Sequence, residues 1–249
     1  MNTSNGMKDT APEEPTHLGH IIFLLALALA FGIGVGAYAL IGATLPTLFS
    51  SKKGQGVEAE IIIVVDRSSR KEVLANIRDV FEKTKIEKGD IRVVKFITRD
   101  ERDHTENAVT TGVLLSTLGT KSPPKDLLRS LNDSVTYGIL TSGDLAGYLK
   151  LESRSYPETF AGMLAWESHM AKDLIPALDP KIKQSDIAAL NEGGFKDEQI
   201  AETPARVLSD PIGRSMLAYA FLDQQTLLIA SGRETLRMLI EITHFEARE

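Results

Sequence analysis

Cysteine is absent from all 249 residues. Without a thiol the chain forms no disulfide, offers no thiolate to a metal and has no cysteine nucleophile. Aromatic residues are sparse at 6%, with a single tryptophan. An excess of positive charge is also missing. The 28 Lys and Arg stand against 34 Asp and Glu, for a formal net charge of −6, and such a balance excludes broad, sequence-independent binding to nucleic acid. The phosphate loop GxxxxGK[ST], the zinc helix HExxH and the nucleophile elbow GxSxG do not occur. What is present is 43% hydrophobic and 25% charged residues, proportions of a folded protein rather than a disordered or collagen-like one.

The charges are unevenly placed. Residues 1–17 carry Lys8 against Asp9, Glu13 and Glu14, with Pro12 and Pro15, and read as a flexible acidic tail. Residues 18–51 contain no Asp, Glu, Lys or Arg. Within them Ile21 to Leu45 has only Tyr38 and Thr44 as polar side chains, and roughly 20 apolar residues span a bilayer as a helix. Residues 18–49 are therefore predicted to be a transmembrane helix, and residues 50–58, with Lys52, Lys53, Gly54 and Gly56, a linker. Ala37-Tyr38-Ala39 has the form of a signal-peptidase site. The acidic tail and the long apolar run favour an uncleaved signal-anchor in a single-pass protein. Gly32 and Gly36 form a GxxxG pair, a candidate transmembrane dimer seam, although glycine is also common in membrane helices generally. Lys52 and Lys53 alone would hold the C-terminal domain in the cytoplasm, but long domains cross largely regardless of charge. The expected location is the cell membrane, with that domain on the extracytoplasmic side.

Residues 59–249 read as one α+β domain. Glu60 to Asp66 is a continuous β-branched run, hence a buried strand. Ser69-Arg70-Lys71-Glu72 is a capping box that opens a helix to about Lys85, and Ile91 to Thr98 is a second strand, an order that allows a parallel pair with a right-handed crossover. A helix is favoured within residues 107–118, and Pro123-Pro124 begins another through Leu131. Hairpins are predicted at 135–141 with 146–153 and at 215–223 with 226–231, and one or two strands within 195–208. The strongest helix begins at Ser155-Tyr156-Pro157-Glu158 and runs to Leu174 or Leu178. A closing helix, 234–244, buries Leu236, Leu239 and Ile240. This order implies a mixed β-sheet packed with helices.

Few residues present themselves for chemistry. The loop TRDERDHTE, residues 98–106, is rich in ligand types but interleaves Arg99 and Arg102, and reads as a solvated loop. Ser68 and Lys71 have the spacing of a serine–lysine pair, but the helix cap accounts for them without catalysis. Glu167 falls inside an apolar stripe of Phe160, Met163, Leu164, Met170, Ala171 and Leu174. A charge there demands a partner, and Arg129 and Arg206 are the candidates for a structural ion pair. No catalytic, cofactor-binding or metal-binding residue is assigned, and no cofactor is expected.

Residues 160–178, FAGMLAWESHMAKDLIPAL, and 205–239, ARVLSDPIGRSMLAYAFLDQQTLLIASGRETLRML, resemble a family of uncharacterised single-pass membrane proteins with a C-terminal α+β domain from reduced-genome bacteria. The resemblance implies an N-terminal anchor and an extracytoplasmic domain, and no reaction. The leading expectation is a membrane-anchored, non-catalytic envelope scaffold or interaction protein, whose partners are the bilayer, an unidentified protein and a second copy of the chain. The alternatives are a membrane-anchored hydrolase-type enzyme without a recognisable motif and a ligand sensor that signals through transmembrane dimerisation.

Overall fold

The computed structural model describes residues 61–65, 68–99, 105–121, 123–141, 143–190 and 194–246. The predicted acidic tail, the predicted membrane segment with Gly32 and Gly36, the predicted linker and residues 100–104 of the charged loop lie outside the described residues. Among the described residues no helix is long and apolar enough to cross a membrane.

The domain is α+β. Its strands are β1 (Ile61–Val64), β2 (Ile91–Arg99), β3 (Glu106–Ala108), β4 (Leu131–Thr141), β5 (Leu145–Ser153), β6 (Phe195–Ile200), β7 (Thr203–Ser209), β8 (Ser215–Phe221) and β9 (Thr226–Ala230). Its helices are α1 (Arg70–Lys83), α2 (Thr111–Leu118), α3 (Lys125–Ser130), α4 (Tyr156–Leu178), α5 (Gln184–Ala189) and α6 (Arg233–Glu246). All strands join one mixed sheet in the order β1-β2-β4-β5-β9-β8-β7-β6, with β3 paired to β2. Among the described residues only β1 and β2 run parallel. They are joined through α1, as the strand–helix–strand reading expects, and the capping box forms: Ser69 Oγ accepts from Glu72 N while Ser69 N donates to the Glu72 carboxylate at 2.6 Å.

Helices lie on both faces. α1 to α5 bury Val73, Ile77, Leu114, Leu127, Trp166, Leu174 and Ile187 against Tyr137, Ile139, Leu149, Leu217 and Ile229 of the sheet. Among the described residues the opposite face carries only α6, whose Leu236, Leu239 and Ile240 pack with Ala205, Ala218, Ala220 and Ala230. Alanines at those four positions leave room for the helix to sit close to the strands.

Pro176 lies inside α4 and lacks the N–H that would bond the Lys172 carbonyl one turn back. Arg70 supplies the missing donor: its Nη2 reaches Lys172 O at 2.8 Å, and its Nε reaches Leu118 O, at the end of α2, at 2.6 Å. One guanidinium thus satisfies two carbonyls that helix geometry leaves open. The end of α4 is clamped to the sheet by Tyr137, whose hydroxyl donates to Ala177 O at 2.6 Å. Gly147 permits this contact, because a Cβ there would stand 2.9 Å from the Leu178 backbone.

The apolar stripe of α4 is rotated from its predicted phase. Thr159, Met163, Trp166, Met170, Leu174 and Ala177 face the core, whereas Leu164 is exposed and Phe160 lies on the flank. β3 is unexpected: Glu106, Asn107 and Ala108 are all exposed and form a strand only because the distal half of β2 offers an edge that β4 does not reach.

The hairpin between β6 and β7 turns on Ala201 and Glu202, whose φ angles are 46° and 64°. Two-residue turns of this kind favour Asn-Gly, since a side chain in the left-handed region costs about 1 kcal/mol. Replacing Ala201-Glu202 by Asn-Gly should stabilise the protein by roughly 1 kcal/mol, read as a higher thermal midpoint of the full chain.

Candidate functional site

Three antiparallel strands place a row of polar side chains side by side. Asp197 of β6 is paired with Arg206 of β7, and Arg206 with Tyr219 of β8. Partners in register stand about 5 Å apart and project to the same face. Glu167 reaches this row from the flank of α4. Arg206 grips it with both arms of its fork, Nε to Oε1 at 2.8 Å and Nη2 to Oε2 at 2.7 Å, and the Tyr219 hydroxyl donates to Oε1 at 2.7 Å. Arg206 Nη1 also donates to Asp197 Oδ1 at 3.0 Å.

The inner pair is largely withdrawn from water, with side-chain exposures of 16% for Glu167 and 19% for Arg206, while Asp197 is 88% exposed. Its hydrogen bonds to Glu167 hold the Arg206 guanidinium above its usual range, with burial opposing. Burial pushes the Tyr219 phenol up, and the hydrogen bond to Glu167 adds to that. Neither group serves as a base near neutral pH. The bidentate geometry ties α4 to the edge hairpin.

Arg129, the other candidate partner, is not brought to Glu167. Its side chain is 79% exposed and lies 3.7 Å from Asp126. α3 has only six residues, and it turns Leu127 and Ser130 to the core, which sends Arg129 to solvent. Lys71 is exposed in the first turn of α1, where Ser69 acts as the cap. At the ends of the charged loop, Arg99 pairs with Glu106 at 2.5 Å.

Beside the Glu167–Arg206 pair lies a groove of about 540 Å³, within the range of ligand and peptide sites. Tyr156 and Phe160 at the start of α4, with Phe221 at the end of β8, form an aromatic wall. Tyr156 meets Phe221 edge-on at 5.0 Å and stacks on Phe160 at 5.8 Å. Arg206 and Tyr219 lie at its base, and Asp197, Glu198 and Asp223 line it as well. Of these residues only Arg206 stands out in the sequence as a candidate for the site, and Phe160 reads there as core, since the groove depends on the register of two hairpins.

A second polar cluster centres on a buried carboxylate. Asp173 of α4 has no exposed surface. Its Oδ1 accepts from the Thr120 backbone N–H and hydroxyl, both at 2.6 Å, and its Oδ2 accepts from Trp166 Nε1 at 2.9 Å. Its charge also acts on Arg70, favouring the cation that burial disfavours. Through the exposed Thr120, just beyond its last residue, α2 is tied by this cluster to α4. Among the described residues no group of three or more His, Asp or Glu is placed to hold a metal ion.

No family model matches this chain, and neither a curated protein nor a solved structure matches it.

Proposed function

We propose that the protein is a single-pass membrane protein whose α+β domain is a non-catalytic interaction module that binds a partner protein in the α4–β8 groove. The observation that carries this reading is the division of labour within the groove. Its inner polar groups satisfy one another, Glu167 accepting three hydrogen bonds and Arg206 donating three, whereas the wall carries an aromatic ring open to solvent, Tyr156 being 38% exposed. A reacting site keeps an acid, base or nucleophile free to meet substrate. A recognition site presents aromatic area over a rigid polar base. The charge-free run at 18–49 supports the anchor, and the resemblance of residues 160–178 and 205–239 supports an extracytoplasmic domain on it.

The groove is tested by panning random displayed peptides against the full chain in detergent micelles. Peptides should be enriched whose binding is lost in Phe221→Ala. If no enriched peptide depends on Phe221, the interaction reading fails. Sidedness is read separately, by external protease on intact cells, which should digest the domain.

A further inference from the structure

We infer that the occupant of the groove is an extended segment of a partner protein bearing lysine or arginine. This rests on the interaction reading above and names the chemistry of the partner. The first support is charge. Around the groove stand the carboxylates of Glu167, Asp197, Glu198 and Asp223, against the guanidiniums of Arg206 and Arg233. Arg206 is occupied by Glu167 and Asp197, and Arg233 holds Glu198 at 2.6 Å, so the balance is negative. Among the described residues the donors to Asp223 are uncharged, the backbone N–H groups of Gln225 and Thr226 and the Thr226 hydroxyl, and the residue lines the groove.

The second support is the wall. The rings of Tyr156 and Phe221 sit within one groove with Asp223. A basic side chain lays its aliphatic stem along such rings and its cation near both ring faces and carboxylates. An acidic segment or an anionic lipid surface meets the same charges with the wrong sign.

The third support concerns shape. β6 ends the sheet order, and among the described residues no strand pairs with its outer edge. An exposed strand edge offers a row of backbone donors and acceptors to an extended chain. Successive residues of a strand point to opposite faces, so Asp197 and Glu198, both lining the groove, bring negative charge to either side of that edge.

The test uses the full chain in detergent micelles and three fluorescent peptides of one threonine–valine backbone carrying lysines, glutamines or glutamates. The lysine peptide should bind roughly five- to tenfold tighter than the glutamine peptide, the glutamate peptide should bind weakest, and the lysine advantage should shrink as salt rises. Asp197→Asn with Asp223→Asn should erase the lysine advantage and leave the glutamine peptide unchanged. Asparagine keeps the acceptor oxygen that the 223 turn uses. Glu198→Gln provides a second neutralised variant should the first unfold. A glutamine or glutamate peptide that binds as well as the lysine peptide, and loses binding in Phe221→Ala, overturns the basic-segment inference and leaves the interaction module standing. Lysine-peptide binding that ignores Phe221→Ala overturns the inference as non-specific attraction. No Phe221-dependent binding by any peptide overturns both.

Discussion

Asp173→Ala should lower the stability of the domain by about 2 kcal/mol, chiefly because the buried Trp166 indole N–H is left with no acceptor. The Thr120 amide and hydroxyl also lose their acceptor, but Thr120 is exposed and water can take its place. An unsatisfied buried donor costs about 1–3 kcal/mol. For a domain of this size the change corresponds to a fall of roughly 6 °C in the thermal midpoint. Asp173→Asn distinguishes the two halves of the cluster. Its amide oxygen can still accept from Thr120, but its NH₂ group faces the Trp166 N–H, donor against donor. Asn should therefore be intermediate, and adding Trp166→Phe should recover part of the loss by removing the opposing N–H. An Asp173→Ala protein that melts within about 2 °C of wild type would show that the carboxylate does not hold α4 in place.

Much of the architecture was legible from residue patterns alone, because the elements concerned are locally self-consistent. The strand at 91–99, the Ser69–Glu72 cap, the hairpins β4–β5 and β8–β9 and the stripe Leu236, Leu239 and Ile240 form where predicted, while the run from Glu60 to Asp66, read as a buried strand, forms β1 at the end of the sheet order with Ile62 43% exposed, because among the described residues only one side of it is paired. The pattern misled where tertiary context decided. On α4, Phe160 and Leu164 looked like core residues, yet the burial line passes through Thr159 and Trp166. A helix of 23 residues in which apolar side chains occur on more than one face has several plausible phases. Glu167 stood out as a charge among apolar neighbours, and Arg206 as its prospective partner. Asp197 and Tyr219 did not stand out, since their place beside Arg206 requires the pairing of Asp197 with Arg206 and of Arg206 with Tyr219. Asp173 was not singled out at all. The donors that bury it come from Thr120, 53 residues earlier, and from a tryptophan two turns away on the same helix.

Glu167→Ala should cost about 3 kcal/mol, and the size of the effect follows from what it leaves behind. The Arg206 guanidinium remains shielded from water with only the exposed Asp197 as counter-charge, and the Tyr219 hydroxyl loses its acceptor. Breaking a buried pair by removing one member is costly, whereas replacing both members by apolar groups is often nearly neutral. Glu167→Leu combined with Arg206→Met should therefore be less destabilised than Glu167→Ala alone, and a double-mutant cycle should return a coupling of about 2 kcal/mol. A titration supplies an independent readout. The Tyr219 phenol is raised above its ordinary value near 10 in the folded protein, so above that pH the unfolded chain releases a proton that the folded chain retains. The associated stability is full below pH 10 and declines as pH rises further. Tyr137 is raised by burial in the same direction, so Tyr219→Phe should remove part of the alkaline decline rather than all of it. If the slope above pH 10 is unchanged by Tyr219→Phe and the cycle shows no coupling, the tie between α4 and the edge hairpin does not exist. If both appear, the aromatic wall on α4 and the acidic edge on β6 are held as one rigid surface, which is the condition a preorganised binding groove requires.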